Sequence, residues 1–295
     1  MLLAERPLWP ETYAEGRRCF LEACSAAGAA VVTHPHPLLG PDGAELATDV
    51  ALVGDGAARR VLLVCTATHG VEGFTGSACL LQWLRAHADG SGRRAHDDSS
   101  GDSSGDSSGL LPPGTRAVLV HAINPHGYAW VRRVNEDNID LNRNFIDHDG
   151  PRDPNAMYTA AHPFVRPTTD SPPDWSAADA GLAAVAEANG VSDAMRTVLG
   201  GQYEHRDGIF YGGTRPAWSN DMIRRIVREH VGDTAERLIF LDLHTGLGPF
   251  GHAELMCNGH SAGWAARLRE IFGEACTGGE REGSPGPTAG PLATA

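Results

Sequence analysis

Apolar positions along this chain recur with two periods, and the alternation between those periods outlines its elements. Residues 11–27 have helical spacing, which puts Tyr13, Cys19, Phe20 and Ala23 near one face. Two short β-branched runs follow, at 30–33 and 48–53. The next segment, 59–70, has a continuously apolar core at Val61–Cys65, the pattern of a central strand buried on both faces. Residues 73–87 read as a helix packed against it, and 115–125 resume the strand pattern up to an Asn-Pro turn signal. Helical stretches are predicted at 178–199 and 216–231, another continuous apolar strand at 237–246 and a last helix at 261–275. Strands alternating with helices predict an α/β sheet with helices on both faces.

Three stretches break the pattern. Residues 89–109 carry a Gly-Asp-Ser-Ser repeat that cannot bury apolar surface, so a flexible surface insertion is expected over 89–112. A Pro-rich passage spans 163–173, and from Thr277 onward no periodicity remains. The expected organisation is one α/β domain over 1–276, followed by a disordered tail at 277–295.

The 295 residues are 41% hydrophobic, enough for a sizeable core, and no run approaches the roughly 20 apolar residues of a spanning helix. A net charge of −13 excludes nucleic acid and anionic membrane as partners, and all 24 basic residues are arginine. Acidic residues near the start interrupt what would be a signal peptide's apolar run, which predicts a cytoplasmic protein. The six cysteines are widely spaced and form no Cys-x-x-Cys pair, so buried thiols are expected rather than a disulfide framework or a thiolate zinc site.

The candidate chemistry lies at strand ends, where open α/β sheets collect their ligands. Thr68-His69-Gly70-Val71-Glu72-Gly73 closes one predicted strand. A His and a Glu three apart, on a turn entering a helix, can face one ion, and both are zinc ligands. That spacing alone is common in a chain with 14 histidines, and a strand-end His beside a helix-cap Glu is its plain reading. The second apolar strand ends in Leu243-His244-Thr245-Gly246, a candidate third ligand. Two His and one Glu leave a fourth position for water, as in catalytic rather than structural zinc. The third segment is Asn138-Ile139-Asp140-Leu141-Asn142-Arg143-Asn144-Phe145, preceded by Arg132 and Arg133. Guanidinium forks bind carboxylates and developing oxyanions, although ordinary surface ion pairs would use the same residues. His121 and His126, flanking the Asn-Pro turn, and His252 are further cleft candidates. The other histidines, His34, His36 and His230 among them, lack strand-end context and read as solvated loop residues.

Taken in order, these segments resemble the zinc carboxypeptidase family, and within it a poorly characterised bacterial branch long labelled a domain of unknown function. The likeness rests on the His-x-x-Glu of 69–72, the Asp-x-Asn-Arg-Asn-aromatic block of 140–145 with its Asn-Pro-x-Gly opening at 124–127, and the Asp-Leu-His-Thr-Gly strand end of 242–246. Residues 201–213 resemble the uncharacterised branch as well, and the likeness runs from about residue 45 to residue 260. It implies a three-layer α/β/α fold with a mixed central sheet, missing its last strand or strands. It also implies hydrolysis of an amide bond with one zinc ion per chain, held by His69, Glu72 and His244. Asp140 would accept a hydrogen bond from His69, Asn142 and Arg143 would hold a substrate carboxylate, and Arg133, ahead of Arg132, would stabilise the oxyanion.

The short gap from Arg133 to Asn142 is nearer to the aspartoacylase and succinylglutamate desuccinylase relatives, so a small peptide and an N-acyl amino acid both stand as substrate. In the family the general base is a glutamate on a late strand. Here Glu254, Glu274, Glu280 and Glu282 follow His244 without such a strand, which leaves the base unassigned. A C-terminus that is cut short or altered is one explanation. The other is a protein that binds zinc and carboxylate without catalysis. Oligomeric state is not legible.

Overall fold

The computed structural model describes residues 9–90, 110–152, 154–166, 174–246, 249–257, 262–273 and 276–278. In chain order the elements are α1 (Tyr13–Ala26), β1 (Ala30–Leu39), β2 (Glu45–Gly54), β3 (Arg60–Thr66), α2 (Gly73–Ala88), β4 (Thr115–His121), α3 (Pro125–Ala129), α4 (Ala156–Val165), α5 (Trp175–Asn189), α6 (Val191–Gly200), α7 (Trp218–His230), β5 (Arg237–Leu243), β6 (Leu255–Cys257), α8 (Ala262–Phe272) and β7 (Cys276–Gly278). They divide between two compact units, Met1–Glu136 with Asp221–Thr245, and Asp137–Asn220 with Gly246–Ala295.

The first unit holds a mixed five-stranded sheet of order β1-β2-β4-β3-β5. β1, β2 and β4 pair antiparallel, whereas β4-β3 and β3-β5 are parallel. One face of the sheet is covered by α1 and α2. Phe20, Ala23 and Cys24 of α1 and Leu80, Leu81 and Leu84 of α2 pack with Ala51, Val53, Val64, Ala117 and Leu119 from the strands. Thr12 caps α1 by accepting from the Glu15 amide at 3.1 Å, which fixes where that helix starts. Gly76 lets α2 lie close on β3, because a Cβ there would stand 2.6 Å from the Thr66 side chain. Since side chains alternate along a strand, Val31 faces α1 and α2 while His34 faces the other way, where the end of α7 lies. The first unit is therefore an α/β/α sandwich, the fold class expected from the sequence.

The second unit holds α4, α5, α6 and α8 and the short parallel pair β6-β7. The helical stretch expected over 178–199 is two helices, parted at Gly190, whose φ of +84° does not continue a right-handed helix. The insertion of 91–109 and the tail from 279 lie outside the described residues. The tail does not begin at Thr277, since Thr277 and Gly278 belong to β7 and pair with Met256 and Cys257.

Three further expectations are corrected. β1 continues past Thr33 through Pro35 and Pro37 to Leu39, because an edge strand tolerates residues without an amide proton. β5 is not central. Among the described residues it closes the strand order, with Leu238 and Ile239 43% and 38% exposed. Its unbroken apolar run imitates a strand covered on both faces. Cys19, Cys24 and Cys65 are buried free thiols, but Cys79 sits on the exposed side of α2.

His121 is not a cleft residue either. It is fully buried between α1 and α2, stacked on Phe20 and 2.6 Å from the Ser77 hydroxyl. Burial holds its imidazole down at about 4, against an ordinary value of 6.5. The unfolded chain therefore takes up the His121 proton first. Stability is fully present above about pH 6.5 and drains away as pH falls toward 4, by about 3 kcal/mol in all. Urea titrations of the parent and His121→Gln should show their stability gap narrowing by about 2–3 kcal/mol from about pH 7.5 to pH 4.5. An equal gap at both pH values would contradict a neutral buried His121.

Candidate metal centre

The centre is built at the ends of β3 and β5. Their parallel register sets Thr66 opposite Leu243, so the loops leaving both strands emerge side by side. His69 lies three residues beyond β3 and Glu72 ends the 3-10 turn Gly70–Glu72 that leads into α2. His244 follows β5 directly.

The turn after His69 rests on the segment that opens with Asn124. The Gly70 and Val71 amides donate to the Arg133 and Arg132 carbonyls at 3.1 and 2.9 Å. The backbones approach so closely that a Cβ on Gly70 would stand 2.1 Å from the Gly127 carbonyl carbon. Asn124 shapes the supporting turn by accepting from the Gly127 amide. The glycine between His69 and Glu72 is thus required by packing, and the same contact sets Arg133 beside the centre.

Three donor groups converge. His69 Nδ1 is 3.0 Å from Glu72 Oε1, His244 Nδ1 is 2.9 Å from Glu72 Oε2, and the two Nδ1 atoms are 3.2 Å apart. The His69 and Glu72 side chains are buried, while His244 is 32% exposed and forms the open side. Burial opposes charge on Glu72, but hydrogen bonds from His244 and His69 hold its carboxyl down at about 2. Burial likewise opposes charge on His244, yet Asp242 and Glu72 accept its ring protons and push it up to about 10. A carboxylate facing two imidazole nitrogens suits a cation. Ligands at about 2.0–2.2 Å around a tetrahedral ion lie roughly 3.3 Å apart, close to these separations. The donor set therefore fits zinc.

Asp242 is a functional candidate that the sequence reading missed. Its Oδ2 is 2.9 Å from His244 Nε2, and Thr68 Oγ1 donates to both of its oxygens at 2.8 and 3.0 Å. A carboxylate there holds Nε2 protonated and turns Nδ1 toward Glu72. The signal was present in the spacing, because residues two apart at the end of a strand share a face.

Arg133 is half-exposed, with Nη1 4.0 Å from Glu72 Oε1. Arg132, the less favoured of the pair, lends its backbone carbonyl to the turn. The other predicted site residues belong to the second unit. Asp140 is buried, and its carboxylate accepts from the Asn142 amide, capping the turn Leu141–Arg143. The Arg143 guanidinium donates to the Leu199 and Asn142 carbonyls and lies over the Phe210 ring. Asn144 is a structural hub, donating to the Gly212 and Arg215 carbonyls and accepting from the Ala217 amide and the Asn220 side chain. The Tyr211 carbonyl accepts from the Asp140 amide and the Tyr203 hydroxyl donates to the Arg143 carbonyl, so the 140–145 block and the 201–213 passage fold as one piece. His126 is buried in the first unit beside Trp130, and His252 is exposed in the second.

Asp242→Ala should weaken zinc affinity about 10- to 100-fold, read by competition with a chromophoric chelator. Unchanged affinity would remove Asp242 from the centre. Gly70→Ala should cost more than about 2 kcal/mol in urea unfolding, because the obstruction is backbone and cannot rotate away.

Similarity to solved structures is distant. A carboxypeptidase A from Helicoverpa armigera matches at 15% identity and a TM-score of 0.43, covering 88% of this chain and 51% of its own. A murein-tripeptide amidase from Escherichia coli O157 matches at 18% identity and 0.37, covering 90% and 80%. A metallo-carboxypeptidase from Burkholderia cenocepacia matches at 17% and 0.29, covering 44% and 31%. The chain thus spans about half the length of that carboxypeptidase A. No curated protein matches it. The sequence model of the family described as "Protein of unknown function (DUF2817)" aligns with residues 9–294, nearly the whole chain, and the protein belongs to that family.

Proposed function

We propose that the chain is a zinc-dependent hydrolase of amide bonds, acting on a small peptide or N-acyl amino acid with a free carboxylate. The observation that carries this reading is the convergence of His69 Nδ1, His244 Nδ1 and the Glu72 carboxylate at separations of 2.9–3.2 Å on one edge of the sheet. Two histidines and one carboxylate, with an open side at His244, are the ligand set of a catalytic rather than a structural zinc.

His69, Glu72 and His244 would hold the ion. A bound zinc supplies Lewis acidity there, bringing a water's pKa toward about 7 and polarising a carbonyl. The remaining work falls to the protein. Arg133 carries a fixed positive charge at the rim, where its N–H groups meet negative charge developing on the scissile carbonyl oxygen. Asp242 keeps the His244 ring oriented. The resemblance further assigns Asp140 to support of the ligands, and Asn142 and Arg143 to the substrate carboxylate. Rigid anchoring of Arg143 by the Leu199 carbonyl and the Phe210 ring suits a guanidinium that must present a fixed face. Among the described residues no helix is long and apolar enough to cross a membrane.

In elemental analysis after zinc loading and desalting, His69→Ala and His244→Ala should each hold one zinc fewer per chain than the parent. With a panel of C-terminal dipeptides and N-acyl amino acids, Arg133→Ala should lower kcat/KM about 10²-fold, or about 3 kcal/mol of transition-state stabilisation. No turnover of any member by the zinc-loaded chain would overturn the hydrolase reading. Amino-acid binding without turnover, lost in Arg143→Ala, would replace it with a non-catalytic zinc and carboxylate binder.

A further inference from the structure

The sequence predicts solvated histidines at 34 and 230, but the structure buries His34 and leaves His230 only partly exposed. His34 on β1 is 6% exposed, and the His230 side chain at the end of α7 is 13% exposed. The Nε2 atom of each is shielded from solvent and meets no hydrogen-bond partner. A buried ring nitrogen without a partner is costly to the fold, and a ring nitrogen of one histidine lies within 4.8 Å of a ring nitrogen of the other, close enough for a shared ligand.

The adjoining carboxylate supplies the missing element. Glu229 precedes His230 on α7, and its Oε1 accepts from Arg225 Nε at 2.7 Å, one helical turn back. That bond turns Oε2 toward His230, 4.0 Å from Nε2. One ligand atom from each of His34, Glu229 and His230 lies within 4.8 Å of the others. Small rotations of these side chains would bring the three donors to the spacing around a first-row divalent ion. Glu229, exposed at the helix end, has the most freedom to move. Two imidazoles and one carboxylate are nitrogen and oxygen donors of the kind zinc, nickel and cobalt take. Two arginines flank the cluster, each with a partner of its own: Arg225 donates to the Glu229 carboxylate and Arg116 to the Val231 carbonyl.

We propose that His34, Glu229 and His230 form a second divalent-cation site, separate in its residues from the His69 centre. It ties the edge strand β1 to the C-terminal end of α7, on the sheet face opposite α1 and α2. Its place between two structural elements makes it a clamp, whose ion holds the strand and helix together. The site shares no ligand with the hydrolytic centre and does not depend on that reading.

The test is zinc stoichiometry of the full chain by elemental analysis, with affinity by chelator competition. The parent should hold two zinc ions, and His34→Gln and His230→Gln one each. The His69→Ala/His244→Ala chain should retain one, so loss at the two sites is read separately. Glu229→Gln lies on the surface and leaves the core intact. In that double-variant background it should weaken zinc binding at least tenfold. Unchanged stoichiometry in His34→Gln and His230→Gln would overturn the proposal, as would unchanged affinity in Glu229→Gln or a double variant that binds no zinc.

Discussion

Parallel pairing of β3 on β5 is the constraint on which the candidate metal centre depends. With Thr66 opposite Leu243, two histidines separated by 175 positions leave the sheet at the same edge. A shift of that register by one residue would turn every β5 side chain to the opposite face and part Asp242 from Thr68. The hydrophobic core holds the register, since the strand faces that pack on α1 and α2 cannot exchange with the others without burying polar groups. Gly70 then completes the geometry at short range. Its close approach to Gly127 is what permits one turn to carry both His69 and Glu72 while resting on the segment that presents Arg133.

Electrostatics and packing reinforce each other at this edge. Glu72 is buried with both oxygens turned to imidazoles, and the Thr245 amide adds a further donor to Oε2. His244 is gripped on its far side by Asp242, which Thr68 holds in turn. Glu72 and His244 are thus each held by a group outside the donor set, the Thr245 amide and the Asp242 carboxylate, so these two donors are oriented by the fold itself.

The polar block at 140–145 divides into different tasks. Asn144 spends its side chain on four backbone or amide partners and shapes the 212–220 segment, whereas Asp140 caps the turn and Arg143 is locked against Leu199 and Phe210. A motif that reads as a row of substrate contacts is in part a folding device. Histidine shows the same division. His121 is a neutral core residue, His69 and His244 face a carboxylate, and His34 and His230 converge on another. Residue type was common to all of them, and burial and neighbours set their roles.

Much of this was legible in one dimension. The continuous apolar runs marked β3, β4 and β5, helical spacing marked α1 and α2, and strand-end positions marked His69, Glu72 and His244. These are local signals, because period and turn chemistry are properties of adjacent residues. The sequence could not say that β5 closes the strand order among the described residues, that β1 runs on through its prolines, that Asp242 grips His244, or that His34 meets Glu229 and His230. Those facts depend on which strands pair and which faces meet. Strand order and the contacts across it are chosen by the burial of whole surfaces, and no window of neighbouring residues contains that information.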